Sequence, residues 1–444
     1  MPRCLPLPLR ENEESSQRRE ATRPGCPDEA RTVLLSAVSL TQPHQTSAFI
    51  IIFHPSYIFC LRSENENMLF HHQCFAFPMH LLILFLLMFY LGIGDSSSEH
   101  QVLVKLEEGL VRGEIETSDG GEQFYSFYGV PYALPPTGKR RFMRPEPVVQ
   151  WDEVVGGQVV ECAQEDTGRD QMFTTGEVQL RGVEDCLVAN IYTPSLDTSS
   201  QLPIMIFVHG GGYFAGSASP GVYGPEYFMD YGVILITVNY RLGPFGFLSL
   251  GDDTIPGNQG LWDLKLAIEF IRNSAAHFGG DKNKITVVGH SAGAMAVQFL
   301  MMNPQMSGMF RGAILQSGPV ISAYTCSDRH PAYYTRTLAG AIGCDPLANS
   351  STIVKCLKSM DARDIVKYVR IVDQKPDVVK NAPNPWKPIM DGLFLPADEA
   401  FLHEDPYELL KVGKFHDIPI IIGHTKDEGL YAVTEAMSRF VTEY

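Results

Sequence analysis

The sequence predicts an α/β fold, with a mostly parallel central sheet and helices on both of its faces. Short apolar runs rich in Val and Ile, LPIMIFV (202–208) and VILITV (233–238), are flanked by turn residues and suit strands buried on both sides. Elsewhere apolar residues recur at helical spacing, as at Leu261, Leu264, Ala267, Ile268 and Ile271. The two patterns alternate along the chain. Alternation of strand and helix implies a doubly wound sheet, whose sites lie beyond the carboxyl ends of its strands.

The elements follow in order from about residue 100. The strand 202–208 runs into a triple glycine, Gly210 to Gly212, and the strand 233–238 runs into Asn239-Tyr240-Arg241. A helix is expected over 260–279, closed by the pair Gly279-Gly280. The strand KITVVG (284–289) comes next, then a turn carrying one serine. The helix AGAMAVQFLMM (292–302) follows and stops at Asn303-Pro304. The strand GAILQSG (312–318) precedes a helix-rich stretch, and IPIIIGHTKDEG (418–429) reads as a late strand with a carboxylate just past its end.

Composition narrows the functional classes. Of 444 residues, 45% are apolar and 19% charged, which describes a globular protein with ample core. A formal net charge of −16 argues against nucleic acid or an anionic membrane surface as partner. None of the nine cysteines sits in a C-x-x-C pair, so no zinc or dithiol site is expected, and no metal or cofactor is called for.

The amino-terminal region reads differently. The run LLILFLLMFYLGI (81–93), followed by small and polar residues, is short for a membrane span and matches the apolar core of a secretory signal. Its position is unusual, because a second apolar patch (48–61) and a long stretch precede it. Residues 1–67 are therefore expected to be an over-extended start or a leader, residues 68–94 a signal peptide, and residues 95–444 the globular domain. The alternative is an uncleaved signal anchor, the only membrane contact foreseen. Either leads to the secretory lumen or the exterior, where disulfides persist.

Gly289-His290-Ser291-Ala292-Gly293 is a G-x-S-x-G pentapeptide between a strand and a helix, the context in which this pattern marks a nucleophile. The glycines permit a sharp, strained turn, and the following helix aims N–H groups at any anion formed there. A triple glycine directly after a buried strand allows backbone N–H groups to approach a tetrahedral oxyanion.

These motifs, read together, resemble the type-B carboxylesterases, which include the cholinesterases, within the α/β-hydrolase fold. The resemblance runs from about Val102 to Tyr444. It rests on FYGVPYALPPTGKRRFMRPEPVVQW (127–151), EDCLVANIYTP (184–194), VHGGGYFAGSA (208–218), VNYRLGPFGFLSLGDD (238–253), GNQGLWDLKLAIEFI (257–271), GHSAG (289–293) and GHTKDEGLY (423–431). It implies Ser291 as nucleophile, Gly211, Gly212 and Ala292 as oxyanion donors, and Glu428 as the acid of a catalytic triad. The implied reaction is hydrolysis of a small carboxylic ester through an acyl-enzyme.

In this fold the triad runs Ser, then Asp or Glu, then His, yet no histidine follows Glu428. The resemblance places it on a later loop, so the chain is expected to be incomplete at its carboxyl end, the last part of the fold included. His290, His330, His403, His416 and His424 are poor substitutes by position. An inactive member serving as a binding, adhesion or decoy protein is the competing reading.

The resemblance also pairs Cys162 with Cys186 and Cys344 with Cys356. Closing the first loop is worth ~3 kcal/mol on the chain-entropy estimate. Asn349-Ser350-Ser351 is a glycosylation sequon inside the second loop. In the cholinesterase branch a Trp in the first disulfide loop binds the choline ammonium. That loop here holds only Phe173 as an aromatic, which disfavours choline esters and favours a general, xenobiotic or lipid-like ester. Oligomeric state leaves no mark in the sequence.

Overall fold

The computed structural model describes residues 49–53, 58–63, 75–76, 101–166, 179–321, 331–373 and 385–430. The expected signal segment lies almost wholly outside them. Two units are distinguished, residues 1–96 and 97–444. In the first, β1 (Phe49–Phe53) and β2 (Ile58–Ser63), within the stretch expected to be a leader, and β3 (Phe75–Ala76), within the expected signal segment, pair as an antiparallel meander. No helix among the described residues is long and apolar enough to cross a membrane.

The second unit is built on one nine-stranded sheet. Its strands are β4 (Gln101–Lys105), β5 (Leu110–Thr117), β6 (Gln123–Pro131), β9 (Val188–Thr193), β10 (Leu202–Val208), β11 (Ile234–Val238), β12 (Gly280–His290), β13 (Gly312–Gln316) and β14 (Ile420–Gly423). Two short strands, β7 (Gln164–Glu165) and β8 (Leu180–Arg181), pair apart from it. The spatial order is β14-β13-β12-β10-β11-β9-β6-β5-β4. The five strands from β14 to β11 are mutually parallel, and the four pairs beyond β11 are antiparallel.

Burial follows the sequence pattern. β11, apolar throughout except Thr237, is buried at every residue, as a central strand covered on both faces should be. β5 alternates exposed and buried residues along its first half, as a strand with one wet face should.

The helices are α1 (Glu226–Met229), α2 (Gly243–Phe247), α3 (Gln259–Ser274), α4 (Ala292–Met302), α5 (Pro331–Ile342), α6 (Ser350–Ser359), α7 (Ala362–Asp373) and α8 (Pro406–Lys411). The five apolar positions that predict α3 are all at most 1% exposed. The helix stops at Ser274 rather than Gly279. A 3-10 turn fills the interval and Gly279 ends it at φ 77°. Every residue of α4 is buried, so this helix is core on all sides rather than amphipathic. On the other face, Met229 of α1 closes a smaller apolar cluster with Phe124, Tyr192 and Leu235.

A buried ion pair joins the strand layer to the helix layer. Arg241, just past β11, donates from Nε to Oδ2 of Asp263 at 2.8 Å and from Nη2 to Oδ1 at 2.6 Å. Asp263 on α3 is fully buried, and its Oδ2 also accepts from the Arg241 backbone N–H at 3.0 Å. At the other extreme, β14 is exposed along its whole length, with Ile421 and Ile422 each 66% exposed.

Candidate active site

The carboxyl ends of four parallel strands lie level with one another. Val208 pairs with Gly289, Gly289 with Leu315, and Gln316 with Gly423. The segments leaving those ends, 209–212, Ser291, Ser317–Gly318 and 424–428, therefore occupy neighbouring turns on one rim of the sheet.

Ser291 is the single residue between β12 and α4. It sits at φ 54° and ψ −122°, a conformation that costs a side-chain-bearing residue on the order of 1–3 kcal/mol. Two hydrogen bonds hold it there: its N–H donates to the Gln316 carbonyl at 2.8 Å, and its carbonyl accepts from Met295 N–H at 3.1 Å. The surrounding space is fully used. A Cβ on Gly293 would stand 2.2 Å from the Val208 carbonyl oxygen, and one on Gly318 would stand 2.1 Å from the Ser291 carbonyl oxygen.

The triple glycine packs directly on this turn. A Cβ on Gly210 would meet the Ser291 Cβ at 3.0 Å. Gly211 has φ 109°, and its carbonyl accepts from Phe214 N–H at 3.1 Å and Ala215 N–H at 3.0 Å, which folds the loop back on itself. A Cβ at Gly211 would lie 2.0 Å from the Ala215 carbonyl oxygen, so conformation and space both select glycine. Gly212 is at φ 61°. Ala292 opens α4, and its N–H is one of the four that a helix cannot satisfy internally.

Two side chains distant in sequence secure the loop, Gln164 outside every motif and Asn239 just past β11. Gln164 donates from Nε2 to the Gly216 carbonyl at 2.9 Å and accepts at Oε1 from Gly216 N–H at 2.8 Å. Asn239 accepts from Ala218 N–H at 2.8 Å and donates to the Val160 carbonyl at 2.7 Å. Gln164 lies two residues past Cys162, which is disulfide-bonded to Cys186, so the loop is moored to a covalently closed segment. Cys344 and Cys356 form a second disulfide.

His209 is buried, stacked on Tyr240 at 4.6 Å between ring centroids, with Nδ1 2.8 Å from the Gly210 carbonyl. Burial pushes its imidazole down to about 4, so it is neutral, and the geometry puts its proton on Nδ1.

Glu428 follows β14 on the same rim. Its Oε1 accepts from Ser317 Oγ at 2.6 Å and from Thr425 N–H at 2.9 Å. These donors, Ser317 first, hold its carboxyl down at about 2. Ser317 is itself at φ 56°, with its N–H on the Gly423 carbonyl at 2.9 Å. Ser291 and Glu428 are thus joined through consecutive residues of one strand end, Gln316 and Ser317.

Among the described residues, no hydrogen bond links a histidine to the Ser291 hydroxyl or the Glu428 carboxylate. His424 turns Nδ1 to the Thr425 carbonyl at 2.8 Å, and the backbone N–H of half-buried His416 is tied to Met301. His403 lies 3.7 Å from Glu404, and His330 is outside the described residues. The tryptophans serve the scaffold. Trp151 donates to the Leu110 carbonyl at 3.1 Å, Trp262 carries Arg144 over its ring at 4.4 Å, and Trp386 is buried.

A strained serine above the ends of parallel strands, backed by a glycine turn, defines an α/β-hydrolase. Comparison with known proteins agrees. The carboxylesterase family model matches residues 100–443, and the chain belongs to that family. It is 37% identical over 332 residues to the juvenile hormone esterase of Tribolium castaneum, covering 74% of this chain and 55% of that one. It is 36% identical to esterase FE4 of Myzus persicae over 75% of this chain and 57% of the other. Among solved structures it resembles juvenile hormone esterase from Manduca sexta with OTFP covalently attached. There the TM-score is 0.68 and the identity 32%, over 77% of this chain and 64% of that one. The chain thus spans little more than half the length of the curated relatives it matches.

Proposed function

We propose that Ser291 is the nucleophile of a carboxylic ester hydrolase. Its Oγ attacks the ester carbonyl, and the N–H groups of Gly211, Gly212 and Ala292 receive the negative charge that develops on the carbonyl oxygen. The alcohol leaves, and water then hydrolyses the serine ester. Glu428 is the acid that orients and electrostatically supports a histidine base. That histidine is not among the residues after Glu428 in these 444, so full activity is proposed for the protein at the length of its relatives. Without a base, only the residual ~10³–10⁴-fold acceleration of binding and oxyanion stabilisation is expected.

The observation that supports this reading is the packing of Gly210 against a strained Ser291, which brings the glycine loop up to the serine turn. An apolar or general carboxylic ester is the proposed substrate class, because the first disulfide loop offers no tryptophan for a quaternary ammonium. Residues 68–94 are proposed to direct the domain into the secretory pathway.

A fluorophosphonate probe tests the nucleophile. The protein expressed at the full length of its transcript should be labelled at Ser291, and Ser291→Ala should abolish labelling. Equal labelling of both proteins would sink the assignment. The competing reading is a binding, adhesion or decoy protein without activity. It predicts that even the full-length product remains unlabelled while still folding.

A further inference from the structure

We propose that Asn349 carries an N-linked glycan whose innermost sugar covers Leu347. The proposal rests on the secretory reading given above. Asn349-Ser350-Ser351 is the only Asn-x-Ser/Thr sequon with a permitted middle residue in the 444-residue sequence. The fold sets it on the surface, inside the loop closed by Cys344 and Cys356, at the first turn of α6.

The two ends of the Asn349 amide have separate duties. Oδ1 accepts from Thr352 N–H at 2.9 Å and caps α6, which satisfies one of the helix's orphan donors. Nδ2, the atom to which a glycan attaches, makes no hydrogen bond among the described residues. Glycosylation exchanges one Nδ2 hydrogen for a sugar carbon and leaves Oδ1 an acceptor, so the cap and the sugar are compatible. Many capping side chains would be lost to modification; this one is not.

The sequon stands beside exposed apolar surface. Leu347, two residues before the sequon, is 91% exposed, while its backbone N–H is fixed to Asp345 at 2.9 Å. Its apolar side chain, carried on a fixed turn, is surface that an adjacent carbohydrate face can take from water. On the other side, Ser350 Oγ donates to the Asp252 carboxylate, which pins the middle residue of the sequon and leaves Asn349 and Ser351 outward.

The transfer balances with a donor of the secretory pathway, a lipid-linked oligosaccharide diphosphate. The bond from the sugar anomeric carbon to the diphosphate oxygen breaks, and a bond from that carbon to Nδ2 forms. The lipid diphosphate leaves with the electron pair, and the amide nitrogen gives up one proton.

The full 444-residue chain, expressed in insect cells, tests this. The chain recovered from membrane or medium fractions should migrate faster after peptide N-glycosidase treatment, with Asn349 converted to Asp. Ser351→Ala, which keeps the cap, should migrate at the treated position and be unaffected by the enzyme. Ser351→Thr should restore the slower band. Asn349→Asp, which also keeps a capping oxygen, should lack the sugar and bind more of a hydrophobic dye than the glycosylated chain. Leu347→Ser in that background should remove the excess.

A chain present in the secretory fractions with Asn349 unmodified overturns the glycan and leaves the secretory reading standing. A chain found only in the cytosol overturns both. Equal dye binding by glycosylated and Asn349→Asp chains overturns the shielding of Leu347.

Discussion

Gly293 shows how much of the site is decided by the absence of one carbon. A methyl group there would stand 2.2 Å from the Val208 carbonyl oxygen, and backbone cannot give way as a side chain can. Gly293→Ala is expected to cost more than about 1 kcal/mol and to lower the urea midpoint, with fluorophosphonate labelling lost more steeply than stability. Ser317 is the second such residue. Its hydroxyl is the main cause of the low Glu428 carboxyl, at about 2 against an ordinary 4.5. A carboxylate depressed in the folded state contributes stability above the ordinary value and loses it as pH falls toward 2. Ser317→Ala should therefore move the titration of Glu428 upward, readable by NMR of the labelled carboxyl, and an unchanged titration would refute the assignment. His209 has the opposite chemistry and the same direction. Its stabilising neutrality is fully present above pH 6.5 and is lost as pH falls to about 4, worth about 3 kcal/mol, and half-buried His416 adds to it. The denaturant midpoint should fall across that window, and His209→Gln should flatten the slope.

At the scale of elements, the sequence was most legible where one physical term dominates. The buried parallel strands and α3 follow from hydrophobic spacing alone, and the strained turn at Ser291 follows from its glycines. Gln164 was illegible, because a glutamine in a loop carries no mark of the backbone it will bind 52 residues away. Ser317 offered a faint signal, a hydroxyl just past a strand's carboxyl end, as Ser291 is. The boundary of α3 was misplaced because a 3-10 turn continues its apolar pattern with different hydrogen bonds. β14 bears the most direct prediction. An edge strand with Ile421 and Ile422 two-thirds exposed is an open template for another strand. The 444-residue chain should scatter light and bind hydrophobic dye on warming, and Ile421→Lys should reduce both. No reduction would mean that association starts elsewhere.

For the whole molecule, the bonds that matter are those that cross layers. Asp263→Asn would leave Arg241 charged and uncompensated in the interior, at a cost of roughly 3–5 kcal/mol, whereas a surface pair such as Lys411 with Glu408 is worth ~0–1 kcal/mol. Thermal unfolding of Asp263→Asn and of Lys411→Ala should separate the two clearly. Opening Cys162–Cys186, with its 24-residue separation, should cost ~3 kcal/mol and loosen the loop that Gln164 moors, so that labelling of Ser291 falls before global unfolding does.

The contacts of Ser291 also set an order of events during synthesis. Gly210, Gln316 and Gly318 all touch its turn, so the strained serine cannot be locked while the ribosome still holds residue 318. Its link to Glu428 through Ser317 spans a further 111 residues, on the order of ten seconds of translation. During that interval the nascent chain presents the Ser291 turn without Glu428, and on the roles proposed above reactivity toward an ester would be one of the last properties the polypeptide acquires.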